Sequence, residues 1–191
     1  VKPGKRLMTG AEEELEDGIN AVVTEHHPRG LRVLRCADPE QLTSSKHGVI
    51  PLPPYIHLPL PNEERYQTVY SQKPGSAAAP TAGLHFTPQL LQSIKQLGVN
   101  IAHVTLDVGL GTFHPPDPEM MRESRLHREH ITVSQETADV INNTTGRIIC
   151  VGTTSIRAVE SASVAPRHIE PFQGETEIFI APGYDFKIAE V

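Results

Sequence analysis

Three stretches of the chain combine glycine with hydroxyl-bearing residues, and they are Thr81–Phe86, Gly109–Phe113 and Gly152–Arg157. Small and hydroxyl residues at the start of a helix leave backbone N–H groups free, and the helix dipole adds positive potential there. Gly152–Arg157 precedes a predicted helix and carries an arginine about one turn in, so it suits a carboxylate or a phosphate. In an alternative interpretation, Thr153 or Thr154 only caps the helix and the arginine pairs at the surface.

The chain has ten histidines, and two of them lie in stretches where a proton could be transferred near neutral pH. His85 follows Gly83 in the first glycine-bearing stretch. His127 and Glu129 lie in the cationic run Arg122–His130, and they would be acid–base partners if a cleft buries them. The same run is equally typical of a solvated helical face with intrahelical ion pairs. The histidines are not spaced as metal ligands, so we predict that no metal is bound.

Alternating helix and strand patterns would position these residues. Thr87 is a good N-cap, Pro88 suits the first helical position and Gly98 suits a stop, which together predict a helix over Pro88–Leu97. The other predicted elements are strands at Ser76–Ala79, Val99–Val108, Arg147–Val151 and Glu177–Ile180, and helices at Glu63–Tyr70, from the cap Ser134 to Asn142, and from Gly152 to Ser161. This alternation favours an α/β sheet or barrel with parallel strands. The three glycine-bearing stretches would then line one pocket at the carboxyl ends of the strands, with His85 facing into it.

The N-terminal part of the chain has a different pattern. Gly18–Val23 and Gly30–Arg35 are rich in β-forming residues and predict strands, whereas the acidic tract Glu12–Asp17 predicts a solvated loop. The proline-rich segment Gly48–Ile56 cannot be helical and marks a boundary. We therefore predict a small β-barrel or sheet module over residues 1–56 and an α/β domain over residues 57–191.

Composition and charge restrict the class of protein. The formal net charge of −6 argues against a protein that binds nucleic acid over its whole surface, but it allows a local basic patch. The sequence has no apolar run of the roughly eighteen residues that a membrane-spanning helix needs. Cys36 and Cys150 lack Cys-x-x-Cys or Cys/His neighbours, and the start at Val1 lacks an apolar targeting segment. We expect a reduced, cytoplasmic protein.

Long sequence blocks occur in the order that is typical of one known family. They are Pro51–Ile56, Arg65–Tyr70, Ala79–Phe86, Val104–Leu106, Val108–Phe113, Val151–Arg157 and Ile178–Tyr184. Through these blocks the chain resembles the S-adenosylmethionine:tRNA ribosyltransferase-isomerases of queuosine biosynthesis. The resemblance implies a barrel-like α/β domain with a small inserted β-barrel. It also implies a reaction in which the ribosyl part of S-adenosylmethionine is transferred to 7-aminomethyl-7-deazaguanine in tRNA and isomerised. Epoxyqueuosine-tRNA forms, adenine and methionine leave, and no metal is implied.

The resemblance also assigns residues to S-adenosylmethionine, which serves as a co-substrate. The implied binding residues are Thr81, Gly83, Gly109, Gly111, Thr112, Gly152, Thr153, Thr154, Ser155 and Arg157, of which the last five would hold the ligand carboxylate. The sulfonium makes the adjacent carbon acidic, so a base is needed there. His85 and His127 are both candidates, and Glu129 would orient one of them.

Two positions depart from the pattern of this family. Asp107 stands where the family usually has histidine, and Ser124 stands where a histidine usually opens the block that contains His127. The family also continues on both sides of the chain, so we expect an incomplete barrel that is a fragment or pairs with another chain. These departures favour one alternative, a non-catalytic or divergent tRNA-binding relative. A further alternative is an unrelated α/β-barrel enzyme that acts on a phosphorylated metabolite.

Overall fold

The computed structural model describes residues 7–15, 18–27, 32–39, 52, 56–60, 62–73, 75–109 and 118–190. Contacts divide the chain into two compact units, Val1–Ile50 and Pro51–Val191. Most of the proline-rich segment Gly48–Ile56 lies outside the described residues, as do Gly111 and Thr112.

The first unit contains an antiparallel sheet of three described strands, β1 (Glu12–Glu14), β2 (Asn20–His26) and β3 (Arg32–Cys36). The predicted strands are confirmed as β2 and β3, and Ala21 and Val23 of β2 are each 1% exposed. The prediction of a loop at Glu12–Asp17 was wrong for its first three residues, which pair with β2. Glu12 and Glu14 stay exposed while their backbone joins the sheet, so the acidic side chains did not decide the conformation.

The second unit contains a mixed set of helices and strands. Its described α-helices are α1 (Pro88–Gln96), α2 (Pro118–Arg122), α3 (Gln135–Asn142) and α4 (Thr153–Ser161). Its described strands are β4 (Thr105–Asp107), β5 (Arg125–Val133), β6 (Ser163–Ala165), β7 (His168–Ile169) and β8 (Phe172–Ile178). Short 3-10 helices cover Glu63–Tyr66 and Thr81–His85. Strands β4, β5 and β8 form one sheet in the order β4-β5-β8, and β6 pairs with β7.

The α/β class is confirmed, but the predicted parallel arrangement is wrong. Every strand pair in the described ranges is antiparallel. The described strands form separate sheets, and none of these sheets closes into a barrel. Strand direction depends on which strands meet, and the alternation of helices and strands along this chain did not reveal it.

Two predicted strands are irregular extended segments. Ser76–Ala79 makes a backbone contact with the end of the β4 segment, where the Ala77 N–H donates to the Val108 carbonyl at 2.9 Å. Arg147–Val151 is not buried on both sides, since Ile149 is 65% exposed. The other predicted strands and the helix after Asn62 are present but shorter or shifted, as β4, β8 and the 3-10 helix Glu63–Tyr66.

The predicted helix ends are confirmed where local chemistry fixes them. The Thr87 side chain accepts a hydrogen bond from the Leu90 N–H at 3.1 Å, and Pro88 begins α1. Gly98 follows with a φ of +81°, the left-handed conformation that glycine adopts without strain. Ser134 caps α3 by accepting from the Thr137 N–H at 3.2 Å.

The core of the second unit lies between the sheet and the helices α3 and α4. Its buried residues are Val133, Ala138, Ile141, Ile148, Val159, Ala162, Ile169 and Ile188. Side chains alternate along β5, so Glu129, Ile131 and Val133 are buried while Arg128 and His130 are exposed. Among the described helices, none is long and apolar enough to cross a membrane.

Candidate functional site

Helix α4 and the glycine before it contain five of the predicted site residues, and the first turn of the helix is uncapped. Gly152 is the N-cap residue, with φ 89° and ψ 152°, and within the described residues no side chain caps the helix. The alternative in which Thr153 or Thr154 is the N-cap is therefore wrong. The Ser155 hydroxyl donates to the Val151 carbonyl at 2.9 Å, behind the helix start. The first-turn N–H groups therefore have no side-chain acceptor among the described residues.

The first and third glycine-bearing stretches meet at Gly152. A Cβ at Gly152 would lie 3.2 Å from the Ala82 side chain, so the 3-10 helix Thr81–His85 packs against the start of α4. Gly83 is buried inside that turn, and a Cβ there would collide with the hydroxyl of Tyr70. Both glycines are needed because neighbouring atoms occupy the space of a side chain.

We expect Gly152→Ala to destabilise the protein by about 1–3 kcal/mol, because φ near +90° with extended ψ is essentially restricted to glycine. Chemical denaturation followed by circular dichroism measures this difference. Gly98→Ala is the matched control, since it has a similar φ of +81° but no atom within 4 Å of the added Cβ. If the Gly152→Ala protein is as stable as the Gly98→Ala protein, the contact between Gly152 and Ala82 is loose.

The second glycine-bearing stretch lies beside the other two only in part. Val108 is buried, and its N–H donates to the Ser76 hydroxyl at 3.0 Å, so the chain after β4 runs next to the segment that leads into Thr81. A Cβ at Gly109 would lie 3.8 Å from the Arg128 carbonyl oxygen of β5. Gly111 and Thr112 lie outside the described residues.

Arg157 is directed into the interior of the protein. Its Nη1 forms an ion pair with Glu129 Oε2, and the two side chains are 11% and 4% exposed. Its Nη2 donates to the carbonyl oxygens of His127 at 2.8 Å and of Thr176 at 3.3 Å. Burial lowers the pKa of the guanidinium and the nearby Glu129 opposes that shift, so the group stays protonated at neutral pH. We therefore propose that Arg157 and Glu129 hold α4 against the sheet.

His127 lies at an irregularity in the sheet. The pairing of β5 with β8 shifts register between Arg125 and Glu129, and the carbonyl that Arg157 binds belongs to this interval. Such bulges expose backbone groups that a regular ladder would use. His127 is half-buried, and its Nε2 is buried without a hydrogen-bond partner among the described residues.

His85 is accessible, in contrast to His127. It ends the 3-10 helix Thr81–His85, its side chain is exposed, and its Nδ1 lies 3.3 Å from the Ala82 carbonyl oxygen. Because Ala82 also contacts Gly152, the histidine is connected to the uncapped end of α4 through one residue. In the described part of the chain, the turn that bears His85 therefore packs against the glycine that begins α4.

The two departures from the family pattern lie in β4 and in the turn before β5. Asp107 pairs in register with His130 on the side of β5 opposite to Glu129, so it does not share a face with the Arg157 pair. Ser124 has a φ of +53° in the turn between α2 and β5, a conformation that residues with a Cβ rarely adopt.

The cationic run Arg122–His130 is mostly strand, so the expectation of a helical face with intrahelical pairs is wrong. Arg128 of β5 reaches across to β8, where its Nε donates to Glu177 Oε1 at 2.6 Å and its Nη1 to Glu175 Oε2 at 3.4 Å. The hydrogen bond from Arg128 lowers the pKa of Glu177. The positive charge of Arg128 is thus balanced by the acids of β8.

The sequence analysis missed one buried residue, Glu160 of α4. Its carboxylate is 3% exposed and accepts four hydrogen bonds from the segment that follows β8. The donors are the N–H groups of Lys187, Ile188 and Ala189 at 3.0, 2.9 and 2.9 Å and the Tyr184 hydroxyl at 3.2 Å. An acid among Ala158, Val159 and Ala162 was the available signal, because a buried carboxylate needs partners.

Cys150 precedes α4 but is not suited to nucleophilic chemistry. Burial, with a contribution from the charge of Glu160, raises its pKa to about 11, so the thiol is protonated at neutral pH. Cys36 and Cys150 are both free. Within the described ranges, no group of three or more His, Cys, Asp and Glu side chains is placed to hold a metal ion.

The sequence profile described as "Queuosine biosynthesis protein" matches residues 1–191. The chain belongs to the queuosine biosynthesis protein family. This confirms the resemblance that the ordered sequence blocks indicated.

Curated relatives within this family are similar over the whole of the chain. Proteins named S-adenosylmethionine:tRNA ribosyltransferase-isomerase from Desulforamulus reducens and Clostridioides difficile are 44% and 47% identical to it. Each comparison covers 100% of this chain but 58% of the relative, so the chain spans less than two thirds of their length. A solved S-adenosylmethionine tRNA ribosyltransferase from Thermotoga maritima is 26% identical, with a TM-score of 0.43, and the match covers 100% of this chain and 51% of that one.

Proposed function

We propose that this chain carries out the reaction named for its relatives, ribosyl transfer and isomerisation from S-adenosylmethionine to tRNA. The acceptor is 7-aminomethyl-7-deazaguanine in the tRNA, the product is epoxyqueuosine-tRNA, and adenine and methionine leave. Membership of the queuosine biosynthesis family supports this function. The observation that carries it is the uncapped start of α4 packed against the turn that bears His85.

The carboxylate of S-adenosylmethionine would bind at the start of α4. Gly152–Ser155 supplies open N–H groups and hydroxyls, and the helix dipole favours a negative charge there. Thr81 and Gly83 belong to the adjoining 3-10 helix and would contact the rest of the ligand. In this proposal Arg157 does not touch the ligand, because both of its terminal nitrogens bind protein acceptors.

The same proposal includes the barrel architecture, the cellular location and the metal requirement of the protein. Strands β4, β5 and β8 would belong to a barrel-like α/β domain, and the sheet of β1, β2 and β3 to a small β-barrel beside it in sequence. The protein would act in the cytoplasm, where tRNA is modified, and it would need no metal.

Calorimetric titration with S-adenosylmethionine tests the carboxylate site. Thr153 is the first residue of α4, and proline is tolerated at that position while it removes one N–H donor. We expect Thr153→Pro to weaken binding by about 1.5–3 kcal/mol, the usual value of a hydrogen bond to a charged group. Thr153→Ala separates the loss of the hydroxyl from the loss of the N–H.

Two controls make the calorimetric result specific. Gln135→Pro introduces proline at the first residue of α3, which is distant in sequence and capped by Ser134. It should leave the affinity for S-adenosylmethionine unchanged. Decarboxylated S-adenosylmethionine should bind the original chain and Thr153→Pro equally. If the complete ligand binds those two proteins with equal affinity, its carboxylate does not bind at the start of α4.

Adenine release in the presence of precursor tRNA tests catalysis. A chain that binds S-adenosylmethionine without releasing adenine would favour a non-catalytic relative.

A further inference from the structure

The contact between His85 and Ala82 sets the proton position on the imidazole. His85 Nδ1 lies 3.3 Å from the Ala82 carbonyl oxygen, which can only accept a hydrogen bond. A neutral imidazole in this contact therefore carries its proton on Nδ1 and donates it to Ala82. The lone pair then resides on Nε2, the nitrogen that can accept a proton from a ligand.

The surroundings of His85 suit a base better than those of His127. The side chain of His85 is exposed, so a ligand can reach it. Among the described residues His127 Nε2 is buried without a hydrogen-bond partner, and the His127 carbonyl accepts from Arg157. A ligand therefore cannot reach that nitrogen in this conformation.

The carbonyl that orients His85 also belongs to the proposed ligand site. Ala82 contacts Gly152, the N-cap of the helix whose first turn would bind the carboxylate. One residue therefore fixes the tautomer of the histidine and the position of its turn against α4. A base at this position would be held at a constant distance from the bound ligand.

We propose that His85, and not His127, is the general base of the reaction, an assignment that rests on the proposed function. His85 Nε2 takes a proton from the ribosyl carbon bonded to the sulfonium of S-adenosylmethionine. The C–H bond breaks, an N–H bond forms, and the electron pair stays on carbon beside the positive sulfur. The imidazole becomes imidazolium, so total charge is unchanged. In heavy water the imidazolium exchanges its proton with solvent and returns a deuteron to carbon.

Deuterium exchange at that carbon, followed by proton NMR of S-adenosylmethionine, tests the assignment on the full chain without tRNA. We expect His85→Ala to lower the exchange rate by about 100-fold to 10,000-fold, the usual contribution of a general base. Its calorimetric affinity for S-adenosylmethionine should be unchanged. Added imidazole should restore part of the exchange, because the site of His85 is open to solvent. His127→Ala and the exposed control His130→Ala should retain exchange.

Each failure has a different signature in these measurements. Exchange that survives in His85→Ala but is lost in His127→Ala would overturn the assignment in favour of His127. A chain that binds S-adenosylmethionine without exchanging its hydrogens would overturn the role of His85 while leaving the binding site in place. Absence of binding by the unsubstituted chain would overturn the proposed function itself.

Discussion

Replacing Arg157 with methionine should lower the free energy of unfolding by about 3–5 kcal/mol, because it removes the guanidinium that pairs with the buried Glu129 carboxylate. Glu129 is 4% exposed and cannot recover solvent in place of the guanidinium. The carbonyl oxygens of His127 and Thr176 lose a donor at the same time. Urea denaturation followed by circular dichroism measures the change.

Two matched variants separate this effect from a general effect of removing arginine. Arg128→Met removes a guanidinium from exposed ion pairs with Glu175 and Glu177 and should cost much less stability, because water screens exposed pairs. The double variant Arg157→Met with Glu129→Met should recover most of the lost stability, because apolar side chains often replace a buried pair without loss. If the Arg157→Met protein has normal stability but weak affinity for S-adenosylmethionine, Arg157 contacts the ligand.

The second large effect is expected at Glu160, where Glu160→Gln should destabilise the protein by about 1–3 kcal/mol. Oε1 of Glu160 faces two backbone N–H groups, and Oε2 faces the Lys187 N–H and the Tyr184 hydroxyl. An amide nitrogen in place of Oε2 leaves the Lys187 N–H unsatisfied, whereas the Tyr184 hydroxyl can turn and accept from the amide. A buried donor without a partner costs about 1–3 kcal/mol. Denaturation measures the global change, and limited proteolysis between Tyr184 and Glu190 reports release of the segment.

Glu190→Gln is the control for this substitution, since Glu190 forms an exposed ion pair with Arg167 at 2.5 Å. It should change the stability by less than about 1 kcal/mol. If Glu160→Gln and Glu190→Gln prove equally stable, the segment after β8 is held by its apolar residues Ile188 and Ala189 instead.

Features decided within one turn of chain were predictable from the sequence. Thr87 and Ser134 cap their helices with N–H groups three residues ahead, so the signal and its partner lie in the same short window. The alternation of faces in β5 was not predicted, because the run Arg122–His130 has helical as well as strand character. The direction of the strands was also not readable, since it depends on pairs such as β5 with β8 that are distant in sequence.

The roles of the charged residues were less predictable than their positions. Arg157 had the spacing of a ligand anchor, but its partner Glu129 lies 28 residues earlier in the chain and reaches it only after folding. Glu160 meets donors that lie 24 to 29 residues later. Neither of these contacts in the folded protein can be read from a single sequence. The hydroxyl and glycine content of Gly152–Ser155 was more informative, because a helix start needs only neighbouring residues to leave N–H groups open.

The uneven attachment of α4 has a consequence for amide hydrogen exchange. The second half of the helix is held by Arg157, Glu160 and Ser161, whereas the first turn has no cap among the described residues. The amides of Thr153, Thr154 and Ser155 should therefore exchange with solvent early, and those of Val159 and Glu160 should exchange only on extensive opening. An acceptor bound at the helix start would slow the first group and leave the second unchanged. In this helix the first-turn amides therefore report whether an acceptor is bound, and the amides of Val159 and Glu160 serve as an internal reference.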